Sequence, residues 1–179
     1  YQQAKATAAE ARKKKNRIDK LHKEAQRLEN EIEAIDEELC GSAATDYKRA
    51  AELDARKIEC EEELLRTARH EAGHALLCCL SGEIPSYLTV VARASHGGYM
   101  QHGDTEQIGS YTRRMLLDRI RTSLGGRAAE LVFFGDEDGL TTGASSDLRS
   151  ATHIAQSMIC HYGMDDSMGL AVIPDNISA

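Results

Sequence analysis

The stretch His70-Glu71-Ala72-Gly73-His74 constrains this chain more than any other five residues. It lies in a run without Pro or turn clusters, so it reads as helix, and four residues advance a helix by about one turn. His70 and His74 therefore share one face, one above the other, while Glu71 projects beside that face. Two imidazoles and a carboxylate on one helical turn are not buried without partners that offset their desolvation. They are either core groups satisfied by other side chains, with Glu71 a solvated charge, or two ligands of a metal ion. H-E-x-x-H on a helix grips zinc with both histidines and uses the glutamate between them as a general base toward water. With seven His and 17 Glu in 179 residues, the pattern has a chance expectation of roughly 0.03. The layout predicts a zinc hydrolase.

The rest of the composition sorts the chain into two parts. Residues 1–69 carry 15 Lys or Arg against 16 Asp or Glu, residues 70–179 carry 7 against 13, and no Lys follows Lys57. Two compositions this different predict two structural units with a boundary near residue 69, a helical hairpin over 1–69 and the unit that carries the H-E-x-x-H motif over 70–179. The five cysteines, Cys40, Cys60, Cys78, Cys79 and Cys160, are scattered and lack C-x-x-C spacing, which argues against a disulfide framework or a cysteine zinc site. A reducing, cytoplasmic compartment is the expectation. No apolar run approaches the roughly 18 residues of a membrane helix; the chain opens on Tyr rather than Met, so a fragment of a longer, membrane-anchored parent is compatible with it.

From Ile18, Leu21, Ala25, Leu28, Ile32 and Ile35 to Leu39 the spacings alternate three and four, a heptad seam that needs a partner helix. Gly41 breaks the helix and Thr45 or Asp46 is suited to cap the next, whose stripe reads Tyr47, Ala50, Ala51, Leu53, Ile58, Leu64, Leu65 and Ala68. The short link predicts an antiparallel hairpin, with a coiled coil between chains as the alternative. The basic cluster Arg12 to Arg17 has no interleaved aromatics, so a solvated helix end is favoured over nucleic-acid binding. The second helix is predicted to run into the motif and to end near Ser81-Gly82.

Beyond it, Tyr87 to Val91 and Tyr99 to His102, joined by Ser95-His96-Gly97-Gly98, predict a short β-ribbon that either receives an extended peptide on its edge or merely covers the core. A helix over 110–134 is predicted with Leu117, Ile120, Leu124, Ala128 and Leu131 facing inward, and its Gly125-Gly126 pair predicts close approach of another backbone, near Gly73. A polar loop over 135–143 precedes a helix opened by Ser145-Ser146-Asp147, with Leu148, Ala151, Ala155, Met158 and Ile159 as its apolar face. The fold class expected is mainly α, with a small ribbon.

A catalytic zinc takes three protein ligands. Leu77 and Leu80 stand where an extended three-histidine motif would need Gly and His, so the third ligand comes from farther along. Glu130, Asp147, His96, His102, His153, Cys160 and His161 are all chemically competent, with Asp147 and Glu130 on helices able to pack against the first. Spacing does not rank them.

Residues from His70 to about Leu170 resemble the peptidase domain of the FtsH family of ATP-dependent zinc metalloproteases. The resemblance is carried in order by His70-Glu71-Ala72-Gly73-His74-Ala75, Gly98-Tyr99-Met100-Gln101, Leu116 to Ile120, Leu124-Gly125-Gly126-Arg127-Ala128-Ala129-Glu130, Thr141-Thr142-Gly143-Ala144-Ser145-Ser146-Asp147-Leu148, Ala151-Thr152 and Tyr162-Gly163-Met164. It implies Zn2+ as cofactor, Asp147 as the third ligand beside His70 and His74, Glu71 as the catalytic base, and Glu130 as a residue that supports the ligands or packs beneath them. It further implies polypeptide substrates laid along Gly98, Tyr99, Met100 and Gln101. The family's AAA ATPase has no counterpart here: residues 1–69 lack a G-x-x-x-x-G-K-[ST] loop. The hairpin instead offers a surface for an ATPase, a second copy or another partner, and a coiled-coil scaffold carrying a peptidase-like domain is the rival expectation.

Overall fold

A computed structural model describes residues 2–85, 110–135 and 139–173. Among these the chain forms four α-helices, α1 (Gln2–Cys40), α2 (Tyr47–Leu80), α3 (Arg113–Phe134) and α4 (Ser145–Cys160), and one short 3-10 turn, Thr142–Ala144. The described residues are mainly α-helical, as their periodicities predict. The ribbon expected over 87–102, with Gly98 to Gln101, lies outside the described residues. No described helix is long and apolar enough to cross a membrane. The backbone divides into two compact units, with α2 passing from the first to the second between Ala68 and Arg69.

In the first unit α1 and α2 pair as an antiparallel hairpin. Ala25, Leu28 and Ile35 of the predicted seam are buried, and Leu53 and Cys60 face them from α2; Ile18, the seam's first position, lies outside the side chains described. The pairing is registered by Arg49 with Glu38 at 2.8 Å, Arg56 with Glu31 at 2.6 Å and Lys57 with Asp36 at 2.6 Å. Water screens such exposed pairs and leaves them little net stabilisation, so apolar burial carries the hairpin and the charges fix its register. Asp46 caps α2, its carboxylate accepting from the backbone N–H of Lys48 and Arg49 at 3.1 Å. The stripe predicted for α2 needs correction: Tyr47, Ile58 and Leu65 are exposed. The inward line runs through Leu53 and Cys60, seven residues apart, because the hairpin face is a heptad seam that the looser stripe misread.

In the second unit α3 and α4 pack on the end of α2. That helix stops as predicted: Gly82 adopts φ +85°, with its N–H on Cys79 O at 3.0 Å and that of Glu83 on Cys78 O at 3.2 Å, the paired closure that a left-handed glycine permits. Of the two glycines of α3, Gly125 does what its position predicts. A Cβ placed on Gly125 would lie 2.5 Å from the carbonyl oxygen of Gly73, so the two backbones touch where neither residue can carry a side chain. The inward face of α3 is rotated from the expectation. Leu116, Gly125, Gly126, Ala129 and Glu130 are buried, whereas Leu117, Leu124 and Leu131 are exposed. Apolar residues encircle this helix, and the buried face was set by small size and a carboxylate, which a hydrophobic stripe does not weigh. On α4, Ala151 and Met158 are buried while Leu148 and Ile159 remain partly exposed.

Candidate metal centre

The last turns of α2, the middle of α3 and the first turn of α4 meet around His70. The ring lies against the backbone of Gly126, and a Cβ there would come within 2.2 Å of His70 Nε2. The small residue of α3 is thus what admits the histidine.

Each imidazole is held by its Nδ1. His70 Nδ1 lies 2.9 Å from Glu130 Oε1 and His74 Nδ1 lies 2.7 Å from the carbonyl oxygen of Thr122. A carbonyl oxygen only accepts, so His74 carries its proton on Nδ1. Glu130 is buried, yet it is held below the usual carboxylate range: burial raises it, and hydrogen bonds from the Thr141 backbone, His70 and the Thr141 hydroxyl, with the charge of Arg127, outweigh burial. An ionised Glu130 likewise accepts a hydrogen bond from His70 Nδ1–H. Both Nε2 lone pairs then point into one space. They lie 3.2 Å apart, and Asp147 Oδ2 lies 3.5 Å from His70 Nε2 and 3.6 Å from His74 Nε2.

Three electron-pair donors converging without a cation repel one another, whereas a cation at their centre makes the arrangement favourable. Bonds of about 2.0–2.1 Å to a tetrahedral zinc imply ligand-to-ligand edges of about 3.3–3.4 Å, close to the three observed. Two imidazoles and one carboxylate are a protein donor set that suits a catalytic zinc. The electrostatics agree. Burial disfavours a charged His74, but hydrogen bonds to Asp147 and Thr122 and the charges of Asp147 and Glu71 outweigh it and raise its pKa. Surroundings that favour a proton there also favour a metal cation. Asp147 stands in the first turn of α4, where the helix dipole stabilises an ionised carboxylate.

The other candidates fall elsewhere. Among the described residues, only His70, His74 and Asp147 form a group of three or more metal-binding side chains with donor atoms within 4.8 Å of one another. Glu130 sits behind His70, His153 and His161 are exposed, Cys160 is half-buried, and His96 and His102 lie outside the described residues. Glu71 is partly buried beside His74, whose imidazole its charge reaches. Three supports were not singled out from the sequence. The Thr122 carbonyl has no sequence signal, since any residue supplies one, while Thr141 and Arg127 stood inside quoted motifs without a role.

The comparisons with known proteins bear on the same residues. The profile of peptidase family M41 matches residues 56–178. The chain is similar to the ATP-dependent zinc metalloprotease FtsH 2 of Symbiobacterium thermophilum, 41% identical over 145 residues that span 80% of this chain and 23% of the relative. It is similar to the protein of the same name from Sphaerobacter thermophilus, 38% identical over 141 residues, 78% of this chain and 20% of the relative. To the ATP-dependent zinc metalloprotease FtsH of Corynebacterium glutamicum it is 36% identical over 129 residues, 71% of this chain and 15% of the relative. The chain thus spans less than a quarter of the length of each of these relatives. With the family profile covering more than half of it, the chain belongs to peptidase family M41.

Proposed function

We propose that this chain is the peptide-hydrolysing part of a zinc metalloprotease, with His70, His74 and Asp147 as metal ligands and Glu71 as general base. The observation that carries the reading is the convergence of the two Nε2 atoms and Asp147 Oδ2 within 3.2 to 3.6 Å in a member of a peptidase family. When bound, zinc supplies a Lewis acid for the scissile carbonyl and lowers the pKa of water to about 7. Glu71, beside the ligand face, takes the proton of the attacking water on a carboxylate oxygen and passes it to the nitrogen of the leaving amine. Glu130 fixes the His70 tautomer and the Thr122 carbonyl that of His74, so both Nε2 lone pairs stay directed at the centre.

The substrates are unfolded or extended polypeptides, read through their backbone along Gly98 to Gln101. The functional division is a helical arm over 1–69 and the peptidase domain over 70–179. Because the α1 seam is covered by α2 of the same chain, the arm presents its outer charged faces, rather than its seam, to an ATPase or a second copy. The test is Glu71→Gln: zinc content unchanged and cleavage of an unfolded polypeptide lost. Undiminished cleavage would remove Glu71 from its role.

A further inference from the structure

Behind the metal ligands lies a closed ring of contacts that ties together segments far apart in sequence. Glu130 Oε1 receives His70 Nδ1 at 2.9 Å and the Thr141 hydroxyl at 3.1 Å, and Glu130 Oε2 receives the Thr141 backbone N–H at 3.2 Å. Arg127, one helical turn before Glu130, places one guanidinium nitrogen 2.9 Å from Glu130 Oε2 and another 2.6 Å from the Thr141 carbonyl oxygen. Every polar group of Thr141 is therefore engaged, its hydroxyl also accepting from Gly143 N–H at 3.2 Å. Directly after Thr141 come the 3-10 turn Thr142–Ala144 and the first turn of α4, which carries Asp147.

We propose that Thr141, locked by Arg127, is a positioning residue that sets Asp147 against His70. The carboxylate that orients His70 also anchors the start of the segment that delivers Asp147, so one group registers two ligands contributed by different helices. The hydroxyl is specific to this task. It donates to Glu130 and accepts from Gly143, fixing the turn that aims α4, and neither a methyl group nor a water held elsewhere reproduces both bonds in that place. Groups that orient metal ligands change metal affinity by about 10- to 100-fold when removed, and Thr141 acts at two ligands together.

The inference rests on the zinc reading above, and the test separates the two. Zinc affinity is measured by chelator competition on the full chain and on Thr141→Val and Thr141→Ser, with helical content followed by circular dichroism. Wild type binds one zinc, Thr141→Val binds it about 10- to 100-fold more weakly, and Thr141→Ser, which restores the hydroxyl, stays within about threefold of wild type. A wild type that binds no zinc overturns the proposed function. A wild type that binds while Thr141→Val binds equally well, or while Val and Ser weaken binding alike, overturns the positioning role alone. Should Thr141→Val not fold, Arg127→Gln carries the test: zinc affinity lowered at unchanged helical content supports the lock, and unchanged affinity overturns it.

Discussion

Gly126 shows how far one atom decides this site. Alanine is the better helix former by about 1 kcal/mol, and on an open helix face Gly126→Ala would stabilise. Here the added Cβ would clash with the His70 ring at 2.2 Å from Nε2, so the histidine must leave its place. The variant is expected to lose most zinc affinity, read by chelator competition, and to melt lower than wild type despite its better propensity; unchanged affinity would mean that the ring has another way to seat. Glu130→Gln is the milder change, keeping shape and removing charge, with an expected loss of about 10- to 100-fold in zinc affinity. At this scale the sequence was legible where chemistry is written in side chains. The face shared by the two histidines and the close approach at Gly125 were readable from spacing, and family resemblance pointed to Asp147. The partner of His74 was not, because the Thr122 backbone carbonyl leaves no trace in residue identity.

The helices were legible as elements, but their faces were less so. The α1 seam was readable because heptad spacing in a two-helix hairpin reports burial directly. On α3 the same logic failed by about one position, since Leu117, Leu124 and Leu131 form a regular line and yet the buried line is Leu116, Gly125, Gly126, Ala129 and Glu130. Close backbone approach rewards small residues, and a functional carboxylate occupies a position that hydrophobic patterning assigns to the outside. Two element-scale consequences follow. Asp46→Ala removes the α2 cap and is expected to cost about 1 kcal/mol, seen as a lower melting temperature of the hairpin with zinc binding unaffected. The hairpin is also acid-sensitive through Glu31, held below the usual carboxylate range chiefly by its hydrogen bond from Arg56. A carboxylate lowered on folding stabilises the folded form above its ordinary pKa, and that contribution is lost as pH falls through the lowered value. NMR titration of Glu31 should show protonation below the ordinary range, returning toward it in Arg56→Met; an identical titration in both would assign the shift elsewhere.

At the scale of the whole molecule, three motifs that look independent in sequence are one structure. The H-E-x-x-H turn of α2, the Leu124-to-Glu130 stretch of α3 and the Thr141-to-Asp147 segment meet at Glu130, which joins the first to the third. Reading any one alone leaves a zinc hydrolase of unspecified kind; together they make the metal site and its supports a single unit, in a chain whose family profile covers residues 56–178. The central claim is that His70, His74 and Asp147 hold one zinc. Metal content and affinity of purified wild type beside Asp147→Ala test it most directly. The account predicts one zinc per wild-type chain and a large loss of affinity in the variant at unchanged helical content. A wild type without zinc, or an Asp147→Ala variant with full occupancy, would contradict it.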